Sequence, residues 1–214
     1  MSQLDANVQI TDENDAPSVA TPIRDDATLQ ACRRLDWRFL LPEPRLGTVL
    51  LWGTKPSTLS QALERFAESV TMREAVLREL TSAGDGGFDL AVLQSPGKRC
   101  LTTVASLLKP GGCVYIELHR RLRQPLRSIN LSECVLLLQR KGFQHIQCYW
   151  HQPDFERCLE ILPLGNRQAM RYYFSKPAGD WGTWLKLRIA GLLFYSGLLI
   201  NLVPCLSIVA RQRA

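Results

Sequence analysis

Short apolar runs alternate with stretches in which apolar positions recur every three or four residues, and this alternation repeats from residue 48 to residue 150. The first run, 48–52 (TVLLW), ends at Gly53, and Leu59, Ala62, Leu63 and Phe66 then fall on one helical face. This is the pattern of a strand, a turn and a helix. Pro56 suits the first helical turn, and Thr54 or Ser57 can cap it. Residues 68–72 read as a second strand, 73–80 as a short helix and 82–87 (SAGDGG) as a loop. A clear strand follows at 88–93 (FDLAVL), then a loop at 94–97 and a helix at 98–108 that stops at Lys109-Pro110-Gly111-Gly112. Residues 113–118 (CVYIEL) form the next strand, 131–141 a helix ending at Gly142, and 144–150 another strand. Strands alternating with helices predict βαβ units and a largely parallel sheet covered on both faces.

The flanks have a different character. Residues 1–28 are small, acidic and turn-forming, so the reading is a disordered acidic tail, with the α/β domain running over 29–214 and folding from about Leu29. The stretch 32–44 (CRRLDWRFLLPEP) reads as a packing arm leading into the first strand. Beyond the strand at 144–150 comes an insertion at 152–204, in which a helix over 167–174 places Met170, Tyr173 and Phe174 on one side. Residues 189–210 carry no formal charge and lie between Lys186 and Arg188 on one side and Arg211 and Arg213 on the other. That length reaches a bilayer span of about 20 residues. Ser196, Asn201, Pro204 and Ser207 interrupt it, and its last third reads as a strand, so a buried or membrane-surface helix over 187–203 is expected. Trp181, Trp184 and Tyr195 suit an interfacial position.

Composition narrows the function classes. With 214 residues, 46% of them hydrophobic, and 14 Gly and 12 Pro, the chain is neither collagen-like nor wholly disordered. The net charge of +6 combines an acidic start with basic clusters at Arg120, Arg121, Arg123 and Arg127 and at Arg211 and Arg213. Such clusters face nucleic acid, an anionic membrane or a phosphorylated substrate. Nucleic acid is disfavoured because aromatic residues are not interleaved and no binding motif is present. The seven cysteines lie far apart without a CxxC pair, which points to reduced core thiols, a cytoplasmic protein and no metal site. The opening residues lack the basic-then-apolar pattern of a secretory leader.

FDLAVL, followed one helix later by LLKPGGCVYIE over 107–117, resembles the class I S-adenosylmethionine-dependent methyltransferases. Gly142-Phe143 is similar to that family's entry into its sixth strand, and 205–211 (CLSIVAR) to its closing antiparallel strand. The resemblance implies a Rossmann-like doubly wound, mostly parallel sheet, here shortened, with a helical insertion before the last strand. It also implies an S-adenosylmethionine cofactor and methyl transfer to a small-molecule or lipid-linked acceptor.

The family places a GxGxG turn after its first strand, because glycines let backbone N–H groups approach the cofactor. The corresponding stretch here is Trp52-Gly53-Thr54-Lys55-Pro56, in which only Gly53 matches. The resemblance assigns cofactor contacts to Gly53 and Thr54, to Glu74 for the ribose hydroxyls, and to Gln94 and Ser95 after FDLAVL. A third strand hardly fits in the short segment before FDLAVL unless Asp85 substitutes for its acid. Glu117 and His119 end the strand CVYIEL and are the candidate catalytic acid or base. His145 and His151, six apart on a strand, are expected to share a face. No Ser-His-Asp, HExxH or phosphate-loop pattern is present. Two classes of function therefore remain: a methyltransferase, or a cofactor-free methyltransferase-like scaffold or binding protein whose partner is a protein or a membrane surface.

Overall fold

The computed structural model describes residues 26–53, 57–74, 87–119, 129–177 and 179–213. Seven strands form one sheet in the order β2-β1-β3-β4-β7-β5-β6. They are β1 (Leu46–Gly53), β2 (Ala67–Glu74), β3 (Phe88–Gln94), β4 (Leu108–His119), β5 (Phe143–Gln152), β6 (Glu160–Pro163) and β7 (Cys205–Gln212). Strands β1 to β4 pair in parallel, β7 is antiparallel to both β4 and β5, and β6 closes the far edge antiparallel to β5. Among the described residues β2 is the other edge.

Alternation along each strand divides the core in two. Leu50, Trp52, Ala91, Leu93, Val114 and Ile116 face one side, under helices α3 (Lys98–Leu107), α4 (Leu131–Arg140) and α5 (Arg167–Phe174). Val49, Leu51, Leu90, Val92 and Tyr115 face the other, under α1 (Asp26–Arg34), a 3-10 turn (Asp36–Leu40) and α2 (Thr58–Phe66). Two helix starts follow the sequence: Ser57 and Ser60 form a reciprocal capping box on α2, and Asn130 accepts from the Glu133 amide on α4.

Several boundaries differ from those read in the sequence. Helix α1 begins at Asp26, so the last residues assigned to the tail are ordered; they pack on α2, and Arg65 donates to the Thr28 hydroxyl. The packing arm is the end of α1 and the 3-10 turn, and Arg73 and Glu74 extend β2 instead of starting a helix. The remainder of that helix, residues 82–86 of the SAGDGG loop, Thr54 and the Arg120 to Arg127 cluster lie outside the described residues. The insertion is not purely helical, since Glu160–Pro163 adds β6 to the sheet edge.

His145 and His151 do not share an environment: His145 is exposed at φ 51, whereas His151 is buried. The β5–β7 register shifts between Gln144 and Gln147, and an irregularity there breaks the two-residue period on which the expectation rested. The buried or membrane-surface helix expected over 187–203 begins earlier and ends sooner, as α6 (Trp181–Tyr195), and most side chains of α6 are exposed, whereas Leu199 and Val203 beyond it are buried. Among the described residues no helix is long and apolar enough to cross a membrane.

The LKPGG segment is an excursion within β4. Phe88 pairs with Leu108 and Leu90 with Cys113, so the intervening residues bulge out of the ladder. Gly111 has φ 78, a left-handed conformation open to glycine. Asp89 anchors the excursion by accepting from Lys109 Nζ at 2.7 Å and from the Thr48 amide at 2.9 Å, and these bonds hold its carboxyl below the ordinary range.

Candidate functional site at the carboxyl edge of the sheet

The strand order changes direction between β1, whose next strand lies on one side, and β3 on the other. In open α/β sheets such a switch point at the carboxyl ends of the strands is where ligands bind. Here it brings together Gly53, the last residue of β1, and Gln94, the last residue of β3. A side chain on Gly53 would place its Cβ 2.5 Å from Gln94 Oε1, so the absence of a side chain is what lets the Gln94 amide lie across the end of β1. On the other side of β1, Gly53 pairs with Glu74 of β2.

Beyond Gln94 the strand breaks sharply. Ser95 takes φ 46, unusual for a residue with a side chain, and its amide donates to the Glu117 carbonyl at 2.7 Å. That bond holds the β3–β4 edge together and leaves Ser95 exposed.

Glu117 lies on the same face of β4 as Tyr115, pointing toward α1. Its carboxylate receives Arg34 Nη1 at 2.7 Å and Nη2 at 2.9 Å, with Tyr115 Oη at 3.4 Å and Gln94 Nε2 at 3.3 Å. Burial works against the charge of Arg34, but the attraction and hydrogen bonds of Glu117 outweigh it and raise the arginine pKa. Arg34 Nε lies 3.3 Å from Glu156 Oε1, close enough for attraction but not aligned as a hydrogen bond. Thr58 at the start of α2 donates to the same Glu156, which ties α1, α2 and the segment after β5 together.

The polar ribbon continues across the sheet. Ser207 of β7 lies opposite Glu117, and its hydroxyl is 2.7 Å from His151 Nε2; His151 Nδ1 is 3.4 Å from Cys158 Sγ. Burial, and then the nearby Arg34 charge, push the His151 pKa down to about 3, so the imidazole is neutral at physiological pH. Burial and the Glu117 carboxylate raise that of Tyr115, whose ring stacks on Trp37 at 3.8 Å and 8°. Phe155 packs between His151, at 4.7 Å, and His119, at 4.8 Å.

The candidates named from the sequence thus separate. Gly53, Gln94 and Glu117 are brought into one connected cluster, with Ser95 at its rim. His119 ends β4 as an exposed residue against Phe155. Beside the cluster runs a groove of about 870 Å³, lined by Gln30, Arg33, Arg34, Thr58, Gln61 and Glu156 among others. Sequence reasoning missed Arg34, Tyr115, Ser207 and Cys158. Arg34 and Glu117 are 83 positions apart, and nothing local to either marks the other. Among the described residues no group of side chains is placed to hold a metal ion.

No family model and no curated protein matches the chain. Solved structures do. A SAM-dependent methyltransferase from Archaeoglobus fulgidus superposes with a TM-score of 0.50 at 11% identity, over 86% of this chain and 94% of that one. Phosphoethanolamine N-methyltransferase 2 of Haemonchus contortus, in complex with S-adenosyl-L-methionine, gives a TM-score of 0.47 at 16% identity. That match covers 88% of this chain but 53% of the other, so the chain spans about half the length of that enzyme. The first likeness, together with the strand order and the antiparallel β7, establishes the class I methyltransferase fold.

Proposed function

We propose that the chain is an S-adenosylmethionine-dependent methyltransferase acting on a small-molecule or lipid-linked acceptor. The observation that carries this reading is the meeting of Gly53 and Gln94 at the switch point of a methyltransferase-fold sheet. These residues fit the methyl donor: the atom nearest to where a Gly53 side chain would begin is the amide oxygen of Gln94, at the flexible end of a side chain whose rotation would open the approach. Gln94 and Ser95 would then hold the donor by side-chain hydrogen bonds, and Glu74 of β2 is the candidate for the ribose hydroxyls. When bound, S-adenosylmethionine supplies a methyl group on a positively charged sulfur, open to attack by a lone pair of the acceptor.

The protein's own residues supply orientation. Arg34 neutralises Glu117 and fixes its carboxylate, which in turn positions the Gln94 amide. In this reading the groove between α1, α2 and the segment after β5 is the acceptor site, and His119, the candidate base, stands outside its lining at the exposed end of β4. Glu117 acts as a positioning residue, because Arg34 engages both of its oxygens.

The second reading, a cofactor-free scaffold, is favoured by that same ion pair and by Gln94 filling the end of β1. Calorimetric titration of the full chain with S-adenosylmethionine and with S-adenosylhomocysteine distinguishes the two. Saturable binding that disappears in Gly53→Val, with an unchanged circular dichroism spectrum, supports the enzyme. No heat of binding at millimolar cofactor rejects it and leaves the scaffold.

A further inference from the structure

Helix α6 exposes the wrong side chains for a helix that only covers a core. Trp181 is 72% exposed, Leu192 73% and Tyr195 64%, and Trp184, Ile189 and Leu198 are also open to solvent. At about 100° per residue the exposed helical members of this set fall on one arc of α6, and Leu198 follows the helix. The opposite side is the one in contact with the protein: Leu187, Ala190 and Phe194 pack on the core, and Gly191 abuts Phe174 of α5. The helix therefore has a seated apolar side and a second, unseated apolar side.

Along the chain, the formal charges from the start of α6 onward have one sign. No Asp or Glu occurs from residue 181 to residue 213, while Lys186 and Arg188 are exposed on α6 itself. Asp180, the carboxylate that precedes the helix in the chain, caps it by accepting from the amide and hydroxyl of Thr183, and it also attracts Lys186. Arg188 lies over the Trp184 ring at 5.4 Å, inside the apolar arc, where its long stem can lie along apolar surface while its head reaches outward. Tryptophans mark the first turn and a tyrosine the last, the residue types that suit a boundary between headgroups and acyl chains. Fifteen residues of helix reach about 22 Å, short of the roughly 30 Å hydrocarbon core, so the geometry permits lying in the surface and not crossing it.

We infer that α6 docks the protein on an anionic lipid bilayer, with Trp181, Trp184, Ile189, Leu192 and Tyr195 entering the interface and Lys186 and Arg188 meeting the headgroups. The inference does not depend on methyl transfer.

The test is flotation of the purified full chain with neutral phosphatidylcholine vesicles and with vesicles containing phosphatidylglycerol, at low and high salt. The expected result is recovery with the anionic vesicles, reduced by salt but not abolished because the apolar contribution remains. Lys186→Gln and Arg188→Gln should each weaken anionic binding roughly fivefold. Ile189→Glu with Leu192→Glu should remove it while leaving the circular dichroism and melting temperature unchanged, since both side chains are exposed. Wild-type protein absent from the lipid fraction under every condition overturns the proposal. So does a self-associated wild type, seen by sedimentation velocity, that becomes monomeric in the double-Glu variant without ever having bound vesicles, because the face would then be a contact between copies. Neither result alters the calorimetric test of cofactor binding.

Discussion

Arg34 of α1 and Glu117 of β4 meet through two parallel hydrogen bonds of 2.7 and 2.9 Å, with side chains 2% and 0% exposed. A helix that precedes the sheet in sequence is thereby fastened to the carboxyl edge of a central strand. Removing one partner strands a buried charge, which typically costs 3–5 kcal/mol, whereas replacing both with apolar residues of similar volume is often close to neutral. Arg34→Ala should therefore destabilise the protein by about 3–5 kcal/mol in urea titration. Arg34→Met with Glu117→Leu should recover most of that loss, and failure to recover would show that the pair itself, not charge burial, stabilises the fold.

His151 gives the stability an acid-side dependence. Its folded pKa of about 3 lies below the ordinary imidazole value of 6.5, so between those values the unfolded chain binds a proton that the native one does not. Stability from this group is fully present above the unfolded pKa and is lost as pH falls toward the folded one. From pH 7 to pH 5 the loss is about 2 kcal/mol. Chemical denaturation at the two pH values should show it in the wild type, and His151→Gln should remove that portion of the difference.

Gly53 and Gln94 are predicted to be coupled. Gly53→Ala should lower the melting temperature because its Cβ would lie 2.5 Å from Gln94 Oε1, and the same substitution in a Gln94→Ala background should cost less. A double-mutant cycle with a coupling of about 1 kcal/mol is expected. Additive effects would mean that the glycine is required for another reason.

The LKPGG excursion should be sensitive at both glycines for different reasons. Gly111→Val forces a branched residue to φ 78, and Gly112→Val drives a Cβ to 2.9 Å from the Lys109 carbonyl. Each should destabilise by about 1–3 kcal/mol. An unshifted melting temperature in either variant would contradict the strained geometry.

Much of the fold was legible in the sequence because it rests on local physics. TVLLW, FDLAVL and CVYIEL are apolar apart from Thr48, Asp89 and Glu117, as strands buried on both faces are, and Leu59, Ala62 and Leu63 repeat at the helical period. Gly142, at φ 84, stops α4 where the pattern ends, and CLSIVAR forms the antiparallel strand the resemblance implied. Tertiary structure decided what depends on approach between distant segments. The bulge near His145 undid an expectation built on period alone, because one irregular residue moves every later side chain to the opposite face. Gly53 and Glu117 were singled out as contacts for other molecules, yet their nearest neighbours are Gln94 and Arg34 of the same chain. Hydrophobicity likewise marked 189–210 as apolar without saying which residues find a partner. That outcome depends on how much of the surface α5 and the sheet can cover, and they cover only one side of α6.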